Sequence, residues 1–137
     1  MYVYAASSWK NLYHVGLCAA MRSAKIEHYD FKADGFSWAQ VDTDPHKDFM
    51  SFIEVLEDPI AVRGFNRDFD AMQRATHFVL TLPSGRSAHL EAGWAIGQGK
   101  PTAIWVPEFD GPDLMYKMAD LVTDNLMDLL DWLGVKD

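Results

Sequence analysis

Cysteine is almost missing from these 137 residues; Cys18 is the only one. That excludes a disulfide framework and any zinc module built on cysteine pairs. Cys18 lies in an alanine-rich helical pattern with nothing around it to favour a thiolate, so it reads as a small core residue, not a nucleophile. Positive charge is scarce as well. Twelve Lys and Arg stand against 20 Asp and Glu, a formal net charge of −8, and the basic residues are dispersed. No basic stripe is available to follow a nucleic acid, although a few local cations suffice for one small anion. Every apolar run is interrupted by Lys or Asp before it could span a membrane, so no membrane partner is expected. The opening Met1-Tyr2-Val3-Tyr4 lacks the basic-then-apolar pattern of a secretion signal, which makes the cytoplasm the expected compartment. The five histidines are scattered and no Cys/His pair has zinc spacing, so neither a metal nor another cofactor is expected. The glycine-containing turns are too short for a P-loop or a dinucleotide fingerprint, which argues against ATPase and dehydrogenase chemistry. Repeats, linkers and low-complexity stretches are absent too.

What is present suits one ordered domain over residues 1–137, with 49% hydrophobic residues and five tryptophans. Tyr2 to Ala6 reads as a strand, Trp9 to Ala24 as a helix and Ile26 to Phe31 as a second strand. Lys32 to Pro45 is polar and irregular; its Phe36 and Trp38 read either as lid residues or as loop anchors. Asp44-Pro45 has the form of a helix start and Asp58-Pro59 of its end, followed by a helix from Ile60 to Ala75 with a possible break at Gly64. A strand His77–Leu82, a helix Ser87–Gln98 stopped by Gly99-Lys100-Pro101, and a strand Thr102–Val106 come next. Asp113 to Leu133 is helical in pattern, as one helix or as two meeting near Thr123-Asp124. Strands alternating with helices imply an α/β fold: a small doubly wound, Rossmann-like or flavodoxin-like parallel sheet with helices on both faces. Four strands are clear, and residues 38–42 are the place where a fifth could lie.

The segment with chemistry in it is Pro83-Ser84-Gly85-Arg86-Ser87-Ala88-His89-Leu90-Glu91. It follows a buried strand and opens a helix, the position at which open α/β sheets bind small ligands. Free backbone N–H groups with Ser84, Gly85, Arg86 and Ser87 can hold an anion there. Glu91 lies one helical turn further in, on the face of Ser87, and Ala88, Ala92, Gly93 and Gly97 would let that helix press close to the sheet. His89 reads either as a phosphate or sugar contact or as a hydrogen-bonded structural histidine. Asp68, just before the third clear strand, is a second candidate acid; a helix N-cap is its competing reading, and Asp70 competes for both roles. Asp113 could likewise be only a cap.

From Asn66-Arg67-Asp68 to Ala75, and then through His89-Leu90-Glu91-Ala92-Gly93-Trp94-Ala95 to Gly99-Lys100, the chain resembles the nucleoside 2-deoxyribosyltransferase superfamily. That superfamily holds base-exchanging transferases and deoxynucleoside 5′-monophosphate N-glycosidases. The opening Tyr2 to Trp9 resembles its first strand and base-binding loop, and Pro112-Asp113-Leu114-Met115 its late segment that reaches into a neighbouring subunit's site. The likeness is specific at Glu-x-Gly-x-Ala-x-x-x-Gly-Lys and looser elsewhere. It implies Glu91 as nucleophile, Asp68 as proton donor to the leaving base, and Tyr4, Ser7, Trp9, Phe36 and Trp38 as walls for a flat base, with core or loop packing as the competing account for each of these five. It also implies contacts from Asp113 and Met115, and a homodimer or higher homo-oligomer. The transferases carry an aspartate in the loop before the nucleophile's helix. Here the loop has serines and an arginine instead, which suits a 5′-phosphate and places the chain nearer the N-glycosidase branch. Where transferases often have asparagine the chain has Asp113, and Asn125-Leu126-Met127 is a rival match for that segment. The expected substrate is therefore a small nucleotide, with nucleosides as the alternative; a nucleotide sensor without turnover is the reading from another class.

Overall fold

The structure, a computed structural model, describes residues 1–33 and 35–135. Two compact units make up the chain: Met1–Asp30 with Arg74–Asp137, and Phe31–Gln73. The first holds a sheet of five parallel strands, β1 (Tyr2–Ala6), β2 (Glu27–Tyr29), β3 (His77–Thr81), β4 (Thr102–Trp105) and β5 (Leu121–Thr123), in the order β2-β1-β3-β4-β5. Register runs Val3 to His77 between β1 and β3, and Phe78 to Thr102 between β3 and β4. The strand order is the flavodoxin-like one, and the doubly wound expectation holds.

Strand alternation sorts the core into two layers. Val3, Ala5, Val79, Ala103 and Trp105 face Leu17, Cys18 and Met21 of α1 (His14–Ser23) and Leu129 and Leu133 at α5 (Leu126–Trp132). On the opposite face, Phe78 meets Trp94 of α4 (Arg86–Gly97) with ring centroids 6.2 Å apart. Ala88, Ala92 and Ala95 are the buried side of α4. Gly93 and Gly97 are exposed with open space where a Cβ would stand, so the alanines alone allow the close approach expected also of these glycines. Gly99 ends α4 at φ +76°, the left-handed position that glycine adopts without a Cβ penalty.

The fifth strand is not at residues 38–42, where Trp38–Gln40 form a 3-10 turn capped by Ser37. It is Leu121–Thr123, inside the segment expected to be helical. Pairing along β4 outweighs the helical pattern there: Leu121 lies beside Ala103 and Thr123 beside Trp105, and the Asp120 carboxylate accepts the Thr102 N–H at 2.8 Å. Leu114–Met118, also within that segment, is a 3-10 turn.

In the second unit, α2 (Phe49–Glu57) starts later than Asp44-Pro45 suggested, because Asp48 is the cap, accepting the Ser51 N–H at 2.8 Å. Asp44 closes a local turn to the His46 N–H instead. The helix α3 (Pro59–Arg74) runs unbroken through Gly64. Gly64 is buried, and Phe36 lies where its Cβ would be, 2.9 Å from the Phe36 Cβ. Phe36 in turn meets Trp38 edge to face at 4.8 Å. Phe36 is therefore a loop anchor, whereas Trp38 stays half open. The loop 32–45 also contains Asp34, which lies outside the described residues.

Two glycine substitutions should act with opposite signs. Gly64→Ala forces Phe36 from its seat and should destabilise by about 1–3 kcal/mol, the usual range for overpacking. Gly93→Ala meets nothing and should stabilise α4 by roughly 0.5–1 kcal/mol. Urea unfolding of both variants against the parent checks the pair.

Candidate active site

After β1 the chain turns to α1 on one face of the sheet; after β3 it turns to α4 on the other. The neighbouring exits of β1 and β3 are therefore the point where the winding reverses, and open α/β sheets bind ligands there. Polar side chains join the two exits. The buried Asn11 donates its amide to the Thr81 carbonyl at 3.2 Å and to the Pro83 carbonyl at 2.9 Å. Its carbonyl oxygen accepts the N–H groups of Tyr13 and His14, at 2.7 and 2.9 Å. This is why α1 begins at His14 and not near Trp9: Asn11 supplies the cap, and the residues before it form a turn. Ser84 completes the junction, donating its hydroxyl to the Thr81 carbonyl and accepting the Ser8 N–H at 3.0 Å.

Beyond that turn α4 begins with Gly85 at its N-cap position and no side chain capping it. Gly85, Arg86 and Ser87 are exposed. Unsatisfied N–H groups and the positive end of the helix thus lie at the exit of β3, and Arg86 is the first residue of that helix. Of the four residues expected to cradle an anion, Ser84 has its hydroxyl committed within the turn; the other three are exposed.

Glu91 lies one turn further along α4, half-buried, and the Tyr4 hydroxyl donates to its Oε2. Tyr4 is 1% exposed on β1, its ring stacked between Tyr29 at 5.3 Å and Phe78 at 5.0 Å. Of its two readings, base wall and core residue, Tyr4 has its ring packed in the core, with its hydroxyl on the carboxylate. A side chain fixed in a β-strand thereby orients an acid on a helix.

His89 uses both ring nitrogens on protein. Nδ1 is 2.8 Å from the Gly85 carbonyl, so that nitrogen carries the proton and donates. Nε2 accepts from the Tyr116 hydroxyl at 2.9 Å, with the two rings stacked at 5.8 Å. Burial, then the nearby Asp113 and Asp110, push the Tyr116 phenol up from its ordinary value and keep it a donor. Of the two readings open for His89, the geometry gives the structural one: it clasps the Leu114–Met118 turn to the start of α4.

Ser7 is buried at the end of β1, its hydroxyl 2.9 Å from His14 Nδ1, and Trp9 is half-exposed in the loop that follows. Asp113 is exposed and caps its turn by accepting the Met115 N–H at 2.8 Å; Met115 is exposed as well. Its rival Asn125 caps α5 through Met127 and Asp128. In the second unit, Asp68 and Asp70 lie well inside α3, which excludes the N-cap reading for both; Asp68 is half-buried and Asp70 exposed.

The sequence matches no protein-family model and no curated protein. Among solved structures it is similar to a 2-deoxyribosyltransferase from the psychrotolerant bacterium Bacillus psychrosaccharolyticus. The TM-score is 0.66 at 14% identity, over 94% of this chain and 90% of that one. The chain shares the fold of a 2-deoxyribosyltransferase. Within that fold Asn11 and the Tyr4–Glu91 bond are the features the sequence did not disclose. An Asn-x-x-His run in the loop that follows a strand is the signal that could have marked the former as a cap. Spacing also missed His14, Cys18 and Asp30, whose ligand-type atoms all lie within 4.8 Å of one another. His14 and Cys18 are four residues apart on one helix face, and the chain fold adds Asp30.

Asn11→Ala removes two donors to carbonyls and the cap of α1 together. It should cost about 2–4 kcal/mol, more than a cap alone at roughly 1 kcal/mol. Asn11→Asp keeps the cap but sets a buried carboxylate oxygen against the Thr81 and Pro83 carbonyls, so chemical denaturation at neutral pH should show it no more stable than Asn11→Ala.

Proposed function

We propose that the protein is an N-glycosidase that hydrolyses the base–sugar bond of a nucleoside 5′-monophosphate, preferentially a 2-deoxy one, through a covalent glycosyl-Glu91 intermediate. The observation that carries this reading is the Tyr4-held Glu91 carboxylate one helical turn from an uncapped helix start with Arg86 and Ser87. The arrangement suits a substrate that is anionic at one end and reacts at a carbon a few ångströms away.

In the first step the Glu91 carboxylate attacks the anomeric carbon, forming an ester bond as the C–N bond breaks. The transition state has oxocarbenium character, so the negative carboxylate stabilises the positive charge before the bond is complete. Asp68 delivers a proton to the leaving base, which would otherwise depart as a costly anion. Water then attacks the same carbon, gives its proton to Asp68, and releases the sugar phosphate with Glu91 regenerated. Gly85, Arg86, Ser87 and the first N–H groups of α4 hold the 5′-phosphate. Trp9 and Trp38 serve the base, and Ser7 lines the same end of β1. The protein acts as a homodimer or higher oligomer in which Asp113 and Met115 reach a neighbouring subunit's site.

A second reading is base exchange between deoxynucleosides, favoured by the fold shared with a 2-deoxyribosyltransferase. The absence of a carboxylate between Pro83 and Leu90 weighs for the phosphorylated substrate, because an acid there would repel it.

Incubation with a panel of nucleosides and 5′-monophosphates, with and without a foreign free base, should release base chiefly from monophosphates. Glu91→Gln should lower that rate by roughly three orders of magnitude or more, as loss of a covalent nucleophile does. Arg86→Ala should raise KM for monophosphates roughly 10–100-fold, the value of one charge-assisted hydrogen bond, and leave nucleosides little changed. Unchanged turnover in Glu91→Gln would exclude the mechanism, and substantial exchanged nucleoside would establish transfer instead.

A further inference from the structure

Behind the exit of β1 lies a buried cluster that the proposed chemistry does not use. His14 Nε2 is 2.8 Å from Asp30 Oδ1 and 3.5 Å from Cys18 Sγ, and all three ligand-type atoms fall within 4.8 Å of one another. We propose that His14, Cys18 and Asp30 bind a single zinc-class divalent ion that ties the first turns of α1 to the end of β2.

Donor chemistry selects the metal. A thiolate and an imidazole suit a borderline-soft ion, whereas magnesium and calcium prefer oxygen ligands alone. Geometry agrees. Zinc bonds of about 2.3 Å to sulfur and about 2.0 Å to nitrogen and oxygen separate tetrahedral ligands by roughly 3.2–3.7 Å. The His14–Cys18 spacing of 3.5 Å already fits, and the 2.8 Å between His14 and Asp30 has to open by about half an ångström. His14 and Cys18 are 1% and 2% exposed, while Asp30 at 27% gives the ion its way in from solvent. A metal-ligating histidine ordinarily has its other nitrogen hydrogen-bonded; here the Ser7 hydroxyl stands 2.9 Å from Nδ1.

Protons balance in a simple way. Without an ion, the Asp30 carboxylate draws the ring proton of His14 to Nε2, and Ser7 donates its hydroxyl to Nδ1. With an ion on Nε2, that proton moves to Nδ1 and is donated to the Ser7 oxygen, while the Cys18 thiol releases its proton to solvent. Binding therefore frees one proton and tightens as pH rises. Three protein ligands leave the fourth position to water. The site is independent of the nucleotide reading, since no residue assigned to proton transfer or nucleophilic attack belongs to it.

The test uses the full chain freed of metal with a chelator. Titration with cobalt(II) should give a thiolate-to-cobalt absorption band that saturates at one equivalent, and zinc should displace the cobalt. Cys18→Ser should abolish the band. Asp30→Asn should weaken zinc binding by on the order of 100-fold, measured in competition with a chromophoric chelator. Circular dichroism establishes that both variants are folded. A parent protein that gives no such band overturns the proposal, whatever the variants do; so does zinc affinity unchanged in folded Cys18→Ser and Asp30→Asn.

Discussion

The hydrogen bond from Tyr4 to Glu91 is the constraint around which the first unit is arranged. A tyrosine on a central strand can hold an acid on the following layer only if its ring is immobile. The stacking of Tyr4 between Tyr29 and Phe78 provides that, and so links β2, β1 and β3 to one carboxylate. The helix must also lie close, and the buried alanines 88, 92 and 95 bring α4 down onto the sheet. Larger residues at those positions would lift the acid away from the hydroxyl. The packing of one layer on another is thus what sets the direction of that carboxylate.

Around this tether, the turn chemistry separates polar groups that are used from those left open. Asn11 and Ser84 join the exits of β1 and β3 and consume the carbonyls of Thr81 and Pro83. His89 and Tyr116 fasten a late turn to the start of α4. What remains unengaged at that point is the helix N-terminus with Arg86 and Ser87. A rim fixed in this way is ordered in folding, so a ligand that binds at the open helix start does not meet that cost. Six of the residues expected to contact substrate, Ser84, Gly85, Arg86, Ser87, His89 and Asp113, divide along this line into builders of the rim and open positions.

Much of this was legible from the sequence, for physical reasons that differ by element. The buried strands Tyr2–Ala6, His77–Thr81 and Thr102–Trp105 are continuous apolar runs, the mark of a sheet covered on both faces, and they were found nearly at their ends. The edge strand Leu121–Thr123 was not, because three residues pairing on one side leave no periodic signal, and helical segments flank them. Helix starts were misplaced where two capping residues competed, as Asp44 and Asp48 do. Glu91 could be marked as a candidate from its place after a strand and a glycine-containing turn. Its partner could not, since Tyr4 is 87 residues away and its orientation follows from strand pairing alone. The same holds for Asp30 beside His14: a local helical pair is readable, but a third member delivered by the sheet is not.

The claim at the centre of this account is that the carboxylate held by Tyr4 bonds to a sugar. It is tested most directly by mass spectrometry of protein quenched with acid during turnover of a slow 2-fluoro-substituted deoxynucleotide. The account predicts an adduct with the mass of the sugar phosphate, on the peptide containing Glu91 and absent from Glu91→Gln. Continued base release from that substrate with no adduct at any time, or an adduct on another residue, would contradict it.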